Sequence, residues 1–345
     1  MQTPKHYIGM DIASDTFTTA IFTPTSKTLF TPITLPNDGD GFDQLMRFFK
    51  EQKIEASASV VCLENTGVYS EHLCYFLTSH GYSLAVEAPH KVKRAFTSSL
   101  RKNDQIDSQQ IAEYAYRFFD QLTFWHPPEA LLEQIKALLC AREQFTQQMT
   151  ANQNALKALL RKHVKTPLAE KTHRSTIDHL KEQIRSIDRE IKELISGHPT
   201  FGPMVALVMS VPGVGLLLAA NLLVLTQGFT RSLHARQVAS HLGICPFEHQ
   251  SGTSVYKKPR SRHYGPARLR KLLYLAALSL RTHNRNFQHY FLRKVEEGKS
   301  KRLVLNNIAN KLLKIIFSII RSRMPFIPDY RSVHPMFLKQ PLTRS

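Results

Sequence analysis

An ionisable side chain inside an otherwise apolar strand constrains the first part of this chain more than any other feature. In the run Tyr7-Ile-Gly-Met-Asp11-Ile, a carboxylate closes a strand-like apolar stretch. Burying a carboxylate costs several kcal/mol unless it binds a metal or is paired. The strand is therefore expected to end at a site. A second acid, Glu64, ends the next buried-type strand, Val60-Val-Cys-Leu-Glu64-Asn-Thr-Gly67. Asp104 and Asp107, in Lys102-Asn-Asp104-Gln-Ile-Asp107, open a helix, and their i,i+3 spacing puts both on one face.

Four acids so arranged suit two divalent cations about 4 Å apart across a scissile phosphate. Magnesium is the expected ion, because it favours all-oxygen ligands that leave room for water. Each acid also has a plain structural alternative. Asp104 taken alone reads as a helix N-cap, Asp107 as a partner of the helix dipole, and Glu64 as a turn residue. Asp11 has the weakest alternative.

The pattern around these acids alternates strand and helix. His6–Ile12, Phe17–Phe22 and Thr28–Leu35 read as strands. Phe42, Leu45, Met46 and Phe49 then recur at helical spacing. Val60–Leu63 and Ser83–Glu87 are further strands, each followed by a helix, the first from about Tyr69 to His80 and the second from about Asp104 to Phe119. Three strands, then helix–strand–helix–strand–helix, is the order of a ribonuclease-H-like α/β sheet. That domain is expected over residues 1–125, ending at the turn-rich Trp125-His-Pro-Pro128.

Residues 126–200 read as a coiled-coil linker. Ile135, Leu138, Phe145, Met149, Leu156 and Leu159 form one seam, with Arg142 and Asn152 as polar interruptions. Beyond Thr166-Pro167, the series Ile177, Leu180, Ile184, Ile187, Ile191 and Leu194 keeps strict three–four spacing. Such a pair makes an antiparallel hairpin within one chain or between chains, and oligomer contacts are the favoured expectation. Residues 201–325 read as a mostly helical basic domain, and 326–345 as a tail. In Ser210-Val-Pro-Gly213-Val-Gly215 the glycines suit the hairpin of a helix-hairpin-helix unit, where backbone N–H groups approach a phosphate. An ordinary helix–helix turn fits the same residues.

Charge divides the chain. It holds 46 Lys and Arg against 27 Asp and Glu, a net of +19, and residues 129–345 carry all of the excess. A chain this basic seeks polyanions, of which nucleic acid is the usual one. No acid occurs between Glu248 and Glu296, a window that includes Lys257, Lys258, Arg260, Arg262, Arg268 and Arg270. Phosphate binding explains such a run better than a solvated helix face. The four scattered cysteines show no metal spacing and read as reduced core residues of an intracellular protein, and the expected location is cytoplasmic and nucleoid-associated. Two apolar stretches, 202–225 and 303–320, are broken by Pro212-Gly213 or carry Lys311 and Lys314, and are expected to be buried helices.

Several of these motifs, in order from about residue 5 to about residue 320, resemble the DEDD transposases of the insertion-sequence-110 family, which includes the Piv-type pilin-gene invertases. They are Tyr7-Ile-Gly-Met-Asp11-Ile-Ala, Glu64-Asn-Thr-Gly-Val-Tyr69, Lys102-Asn-Asp104-Gln-Ile-Asp107, Val211-Pro-Gly-Val-Gly215, Leu242-Gly-Ile-Cys-Pro246 and Gln250-Ser251-Gly252. The resemblance implies a RuvC-like domain, a coiled-coil linker and a C-terminal transposase domain. It also implies a nucleophilic serine at Ser251, action as a dimer or tetramer on double-stranded DNA, and a noncoding bridge RNA as partner. The chain departs from the family's usual Gly-x-Ile-Ser-Lys-x-Gly stretch. Here Lys258-Pro-Arg-Ser-Arg-His-Tyr-Gly265 keeps Ser261, a basic Arg262, Gly265 and the following Leu269-Arg270.

From its own surroundings, Ser251 is a serine in a polar turn with no His–Asp pair beside it, so activation would fall to a metal. Three other readings compete. One is a two-metal junction-type nuclease using water. Another is a tyrosine recombinase using Tyr256 or Tyr264. The last is a non-catalytic nucleic-acid-binding scaffold.

Overall fold

A computed structural model describes residues 3–25, 28–96, 103–230, 234–251, 255–261 and 265–328. The chain divides into two compact units, 1–127 and 128–345.

The first unit is built on one mixed sheet. Strand β1 (His6–Ile12) pairs antiparallel with β2 (Thr16–Thr23) and parallel with β5 (Ser59–Glu64). Strands β3 (Thr28–Leu29) and β4 (Ile33–Pro36) share the outer edge of β2, and β6 (Ser83–Glu87) adds parallel to β5. The third strand expected over 28–35 is thus two short pieces. One sheet face carries Ile8, Met10, Val61, Leu63 and Leu84 in a core completed by α1 (Gly39–Glu51) and α2 (Glu71–Ser79). The other carries Tyr7, Cys62 and Ala85 and is covered by α3 (Pro89–Ala95), which the sequence reading did not foresee, and α4 (Asp104–Arg117). The strict alternation of residues between the two cores is the period-two signature of a sheet buried on both sides.

Gly9 determines how closely α4 can lie on this sheet. A Cβ at Gly9 would fall 2.2 Å from the Ser108 carbonyl oxygen and 2.2 Å from the Ala112 nitrogen. Only glycine admits that approach. Tyr7, two residues earlier, packs edge-on against Tyr116 and Phe119. Going from Tyr7 to Gly9 along β1 therefore goes backwards along α4, and the two run antiparallel.

In the second unit, α5 (Ala130–Arg161) and α6 (Pro167–Gly197) form an antiparallel hairpin within the chain. The polar interruptions in the seam are partners. Arg142 donates to both carboxylate oxygens of Asp188 at 2.6 and 3.1 Å, and His173 lies 2.8 Å from the Asn152 side-chain oxygen. Such pairs fix the register of two packed helices. The hairpin base, including Leu132, Ile135, Ile191 and Ile195, joins the same core as α7 (Phe201–Met209), α8 (Leu216–Leu225), α9 (Ala235–His241), α10 (Ala267–His283), α11 (Arg285–Glu296) and α12 (Lys301–Ser322). Helix α12 is long and apolar enough to span a membrane by composition, but Ile308, Leu312, Leu313 and Ile316 are completely buried in this core. Each such side chain contributes about 1.5–3 kcal/mol by leaving water.

One element stands out from the mostly helical pattern expected here. Strands β7 (Pro246–Ser251) and β8 (Val255–Ser261) make an antiparallel hairpin between α9 and α10.

The Gly9 contact yields a direct test. Gly9→Ala should lower unfolding stability by about 1–3 kcal/mol through overpacking, measured by urea denaturation. An unchanged midpoint would show that α4 does not lie where described.

Candidate functional site

The end of β1 collects the acids of the first unit. Met10 pairs with Leu63, so Asp11 and Glu64 lie one position further on, side by side on adjacent parallel strands. Residues two apart on a strand share a face, so Asp11 follows Gly9 and Glu64 follows Cys62 on the α4 side. Two strand residues advance about 6.6 Å, which corresponds to between four and five helix residues at about 1.5 Å each. Counting back from the Ser108–Ala112 contact reaches the first turn of α4, where Asp104 and Asp107 sit. The N-terminus of α4 thus comes to the same sheet edge as the two strand-end acids.

The cap of α4 is Asn103, whose side-chain oxygen accepts from the Ile106 nitrogen at 2.8 Å. This overturns the alternative that Asp104 serves as the cap. Asp104 is exposed and Asp107 half-buried in the first turn, where the helix dipole favours negative charge. Asp11 and Glu64 are both half-buried. Among the described residues, no three His, Cys, Asp or Glu side chains are drawn together as a metal set.

The loop after Glu64 is ordered by local bonds. The Asn65 side chain accepts from the Gly67 nitrogen, and the Ser70 hydroxyl donates to the Gly67 carbonyl. Asn37 donates to the carbonyls of Ala13 and Tyr69, tying the β1–β2 turn to this loop. Val68 and Tyr69 stand exposed there.

A further acid at this edge escaped the sequence reading. Glu87 ends β6 directly opposite Glu64 and is only 2% exposed. Its Oε2 accepts from the Lys91 ammonium at 2.8 Å, while Oε1 is buried with no hydrogen-bond partner. The Glu87 bond in turn holds the Lys91 pKa above its ordinary value. Like charges directly opposite on neighbouring strands repel, and Lys91 offsets that repulsion. The available signal was the same as for Glu64, an acid closing a buried strand. Beneath it, burial pushes the Cys62 thiol far up, so this cysteine is inert.

The basic candidates of the second unit separate by geometry. Arg268 is half-buried, donates to the Leu139 carbonyl on α5 and lies 3.6 Å from Glu143. Burial lowers its pKa. Arg270 donates to the carbonyls of Leu242 and Gly265. Both therefore tie α10 to its neighbours, in place of the phosphate contacts expected from the acid-free window. Gly265 has a left-handed φ of +68°, and a Cβ there would meet the His241 carbonyl oxygen at 2.1 Å. With Leu269 buried, three of the family positions retained in this stretch, Gly265, Leu269 and Arg270, seat α10. Lys257, Lys258 and Arg260 lie on β8, while Arg262, Tyr264 and Gly252 fall outside the described residues. Ser251 was expected in a turn. Its backbone instead forms the last pair of the β7–β8 ladder, opposite Val255. Gly213, at φ +80°, turns the chain between α7 and α8 and packs against α10, with the Ala276 carbonyl 3.1 Å from where its Cβ would be. Gly215 precedes α8 in extended conformation with open space around it.

Comparison with known proteins agrees with these motifs. A DEDD transposase model of the IS110 type matches residues 8–165, and a model described as the transposase IS116/IS110/IS902 family matches residues 205–292. The pilin gene-inverting protein of Moraxella lacunata is 28% identical over 326 residues, covering 93% of this chain and 98% of that protein. The transposase for insertion sequence element IS1111A of Coxiella burnetii is 23% identical over 347 residues, covering 91% of this chain and 89% of its own. That for IS1533 of Leptospira borgpetersenii is 25% identical over 269 residues, covering 70% and 75%. The two models lie in order and together span well over half of the chain. The protein is thus an enzyme of the transposase class. It belongs to the IS110 family of transposases and Piv-type recombinases, as its motifs implied.

The Glu87–Lys91 pair can be tested apart from any activity. Lys91→Ala should cost about 1–3 kcal/mol by leaving a buried carboxylate unpaired, and the Glu87→Gln/Lys91→Ala double variant should cost less than the sum. Additive losses by chemical denaturation would mean that the two residues are not coupled.

Proposed function

We propose that this chain cuts and rejoins DNA as an insertion-sequence transposase or site-specific invertase, with Ser251 as nucleophile and Asp11, Glu64, Asp104 and Asp107 holding divalent metal. The observation that carries the reading is the convergence of two strand-end acids and the first turn of α4 at one sheet edge. A sheet ordered β3-β2-β1-β5-β6, antiparallel then parallel, supports a ribonuclease-H-like (RuvC-like) domain. The donor set fits magnesium, being all oxygen and half-buried to exposed, with four carboxylates to outweigh the positive end of the α4 dipole. Bound there, the ion would supply Lewis acidity toward the phosphate and the attacking hydroxyl.

The chain's own groups account for the rest of the chemistry. The Ser251 oxygen forms a bond to phosphorus as the bond to a deoxyribose oxygen breaks, and the leaving oxygen takes up a proton. The phosphoserine linkage conserves the bond energy needed for rejoining to a second strand. Lys257, Lys258, Arg260 and Arg262 would hold the DNA backbone, and the turn at Gly213–Gly215 would add backbone N–H groups. Arg268 and Arg270 would act by positioning the segment that precedes α10. The relatives' names, a pilin gene-inverting protein and insertion-element transposases, support an element-end or inversion-site substrate. A bridge RNA and a dimer or tetramer assembled through the α5–α6 hairpin complete the proposal. The distal hairpin is consistent with such assembly, because Phe145, Met149, Leu156 and Leu159 stay only half-buried. A cytoplasmic, nucleoid-associated location follows from the substrate.

Trapping the covalent intermediate decides between recombinase and hydrolytic nuclease. Protein, magnesium and element-end DNA, with guide RNA, should yield a denaturation-resistant protein–DNA adduct at Ser251. Ser251→Ala and Asp11→Ala should each abolish it. Cleavage by Ser251→Ala without any adduct would establish a nuclease that uses water.

A further inference from the structure

Helices α11 and α12 line an open cavity of about 670 Å³, bordered in part by Phe287, His289, Tyr290, Arg293, Lys311 and Lys314. Small-ligand pockets run from about 300 to 1,000 Å³, so this one has room for a nucleotide-sized group. Its chemistry is unusual in two respects. Three permanent cations line it, and no carboxylate does. Outside the lining, Glu297 has its carboxylate 3.8 Å from the Arg293 Nε and is already engaged with Lys294. Helix α12 carries no acidic residue along its 22 positions.

The cations are also gathered on an aromatic ring. The Lys311 ammonium lies 4.6 Å from the centroid of Tyr290, and the Arg293 guanidinium lies 5.9 Å from the same ring. Bringing these two charges to one ring, with Lys314 one turn further along α12, works against their mutual repulsion. An anion between them would relieve that repulsion. Phe287, which also lines the cavity, offers a second aromatic surface.

We propose that this cavity is a separate nucleic-acid site that takes an unpaired nucleotide within a strand. The base packs against Phe287 and Tyr290, and the flanking phosphates meet Lys311, Lys314 and Arg293. Aromatic stacking combined with a cationic track is how unpaired strands are held without strong sequence preference. A base locked in a duplex stack cannot enter such a cavity, so the site discriminates strandedness. The inference does not depend on the metal or the serine.

The test uses the full chain in EDTA, so that no cleavage intervenes, and reads fluorescence anisotropy with labelled dT12, U12 and a 20-base-pair duplex. Lys311→Ala/Lys314→Ala should weaken single-strand binding at least about tenfold and reduce the salt slope by about 1.4, at about 0.7 per lost phosphate contact. Tyr290→Ala should weaken it about five- to tenfold, whereas Tyr290→Phe should keep the wild-type affinity. Duplex binding should change less than about twofold in all of them, and the melting temperature of the lysine variant should stay the same. A loss on either single strand supports the site, and the strand with the larger loss identifies whether DNA or RNA occupies it. Wild-type single-strand affinity in the lysine variant, or an equal loss on duplex, would overturn the proposal. Ser251→Ala and Asp11→Asn should bind dT12 and U12 normally, so failure of the recombinase reading would be seen separately.

Discussion

The close approach of α4 to Gly9 is the constraint on which the first unit depends. With no side chain at Gly9, the Ser108 and Ala112 backbone rests directly on β1. This fixes both the height and the direction of the helix. Because α4 runs antiparallel to β1, its first turn arrives where the strand's last carboxylate stands. The arrival of the first turn of α4 beside the ends of β1 and β5 is thus a consequence of backbone packing. Glu87, opposite Glu64 and neutralised by Lys91, adds a buried charge pair at the same edge.

Much of this was legible in the sequence because strands advertise themselves through period-two burial. The limits of β1 and the acids at the ends of β1 and β5 follow from apolar runs that stop at a charge. The helix carrying Asp104 and Asp107 was legible too. Its cap was not, because Asn103 and Asp104 are both competent caps and only the bond from the Ile106 nitrogen to Asn103 decides between them. The α5–α6 stripe was clear, but partner choice was open until Arg142 met Asp188, 46 residues away.

The C-terminal unit was harder to read for a physical reason. Strands β7 and β8 are rich in Lys, Pro, His and Gln, residues with little strand preference, so the hairpin carrying Ser251 gave no apolar alternation. Likewise a run of arginines looks uniform in sequence. In the structure it divides into side chains committed to carbonyls, such as Arg268 on Leu139 from 129 residues away, and others such as Arg293 that line a cavity. Net charge alone predicted a polyanion partner but could not assign the individual cations.

Replacing magnesium with ferrous iron tests the central claim, the convergence of acids at the β1–β5 edge, most directly. With ascorbate and peroxide, bound iron cuts nearby backbone, and the fragments report which segments surround it. The account predicts cuts near residues 11, 64 and 104–107 that compete with magnesium and disappear in the Asp11→Asn/Glu64→Gln variant. Cuts clustered elsewhere, or a pattern unchanged by that variant, would contradict it.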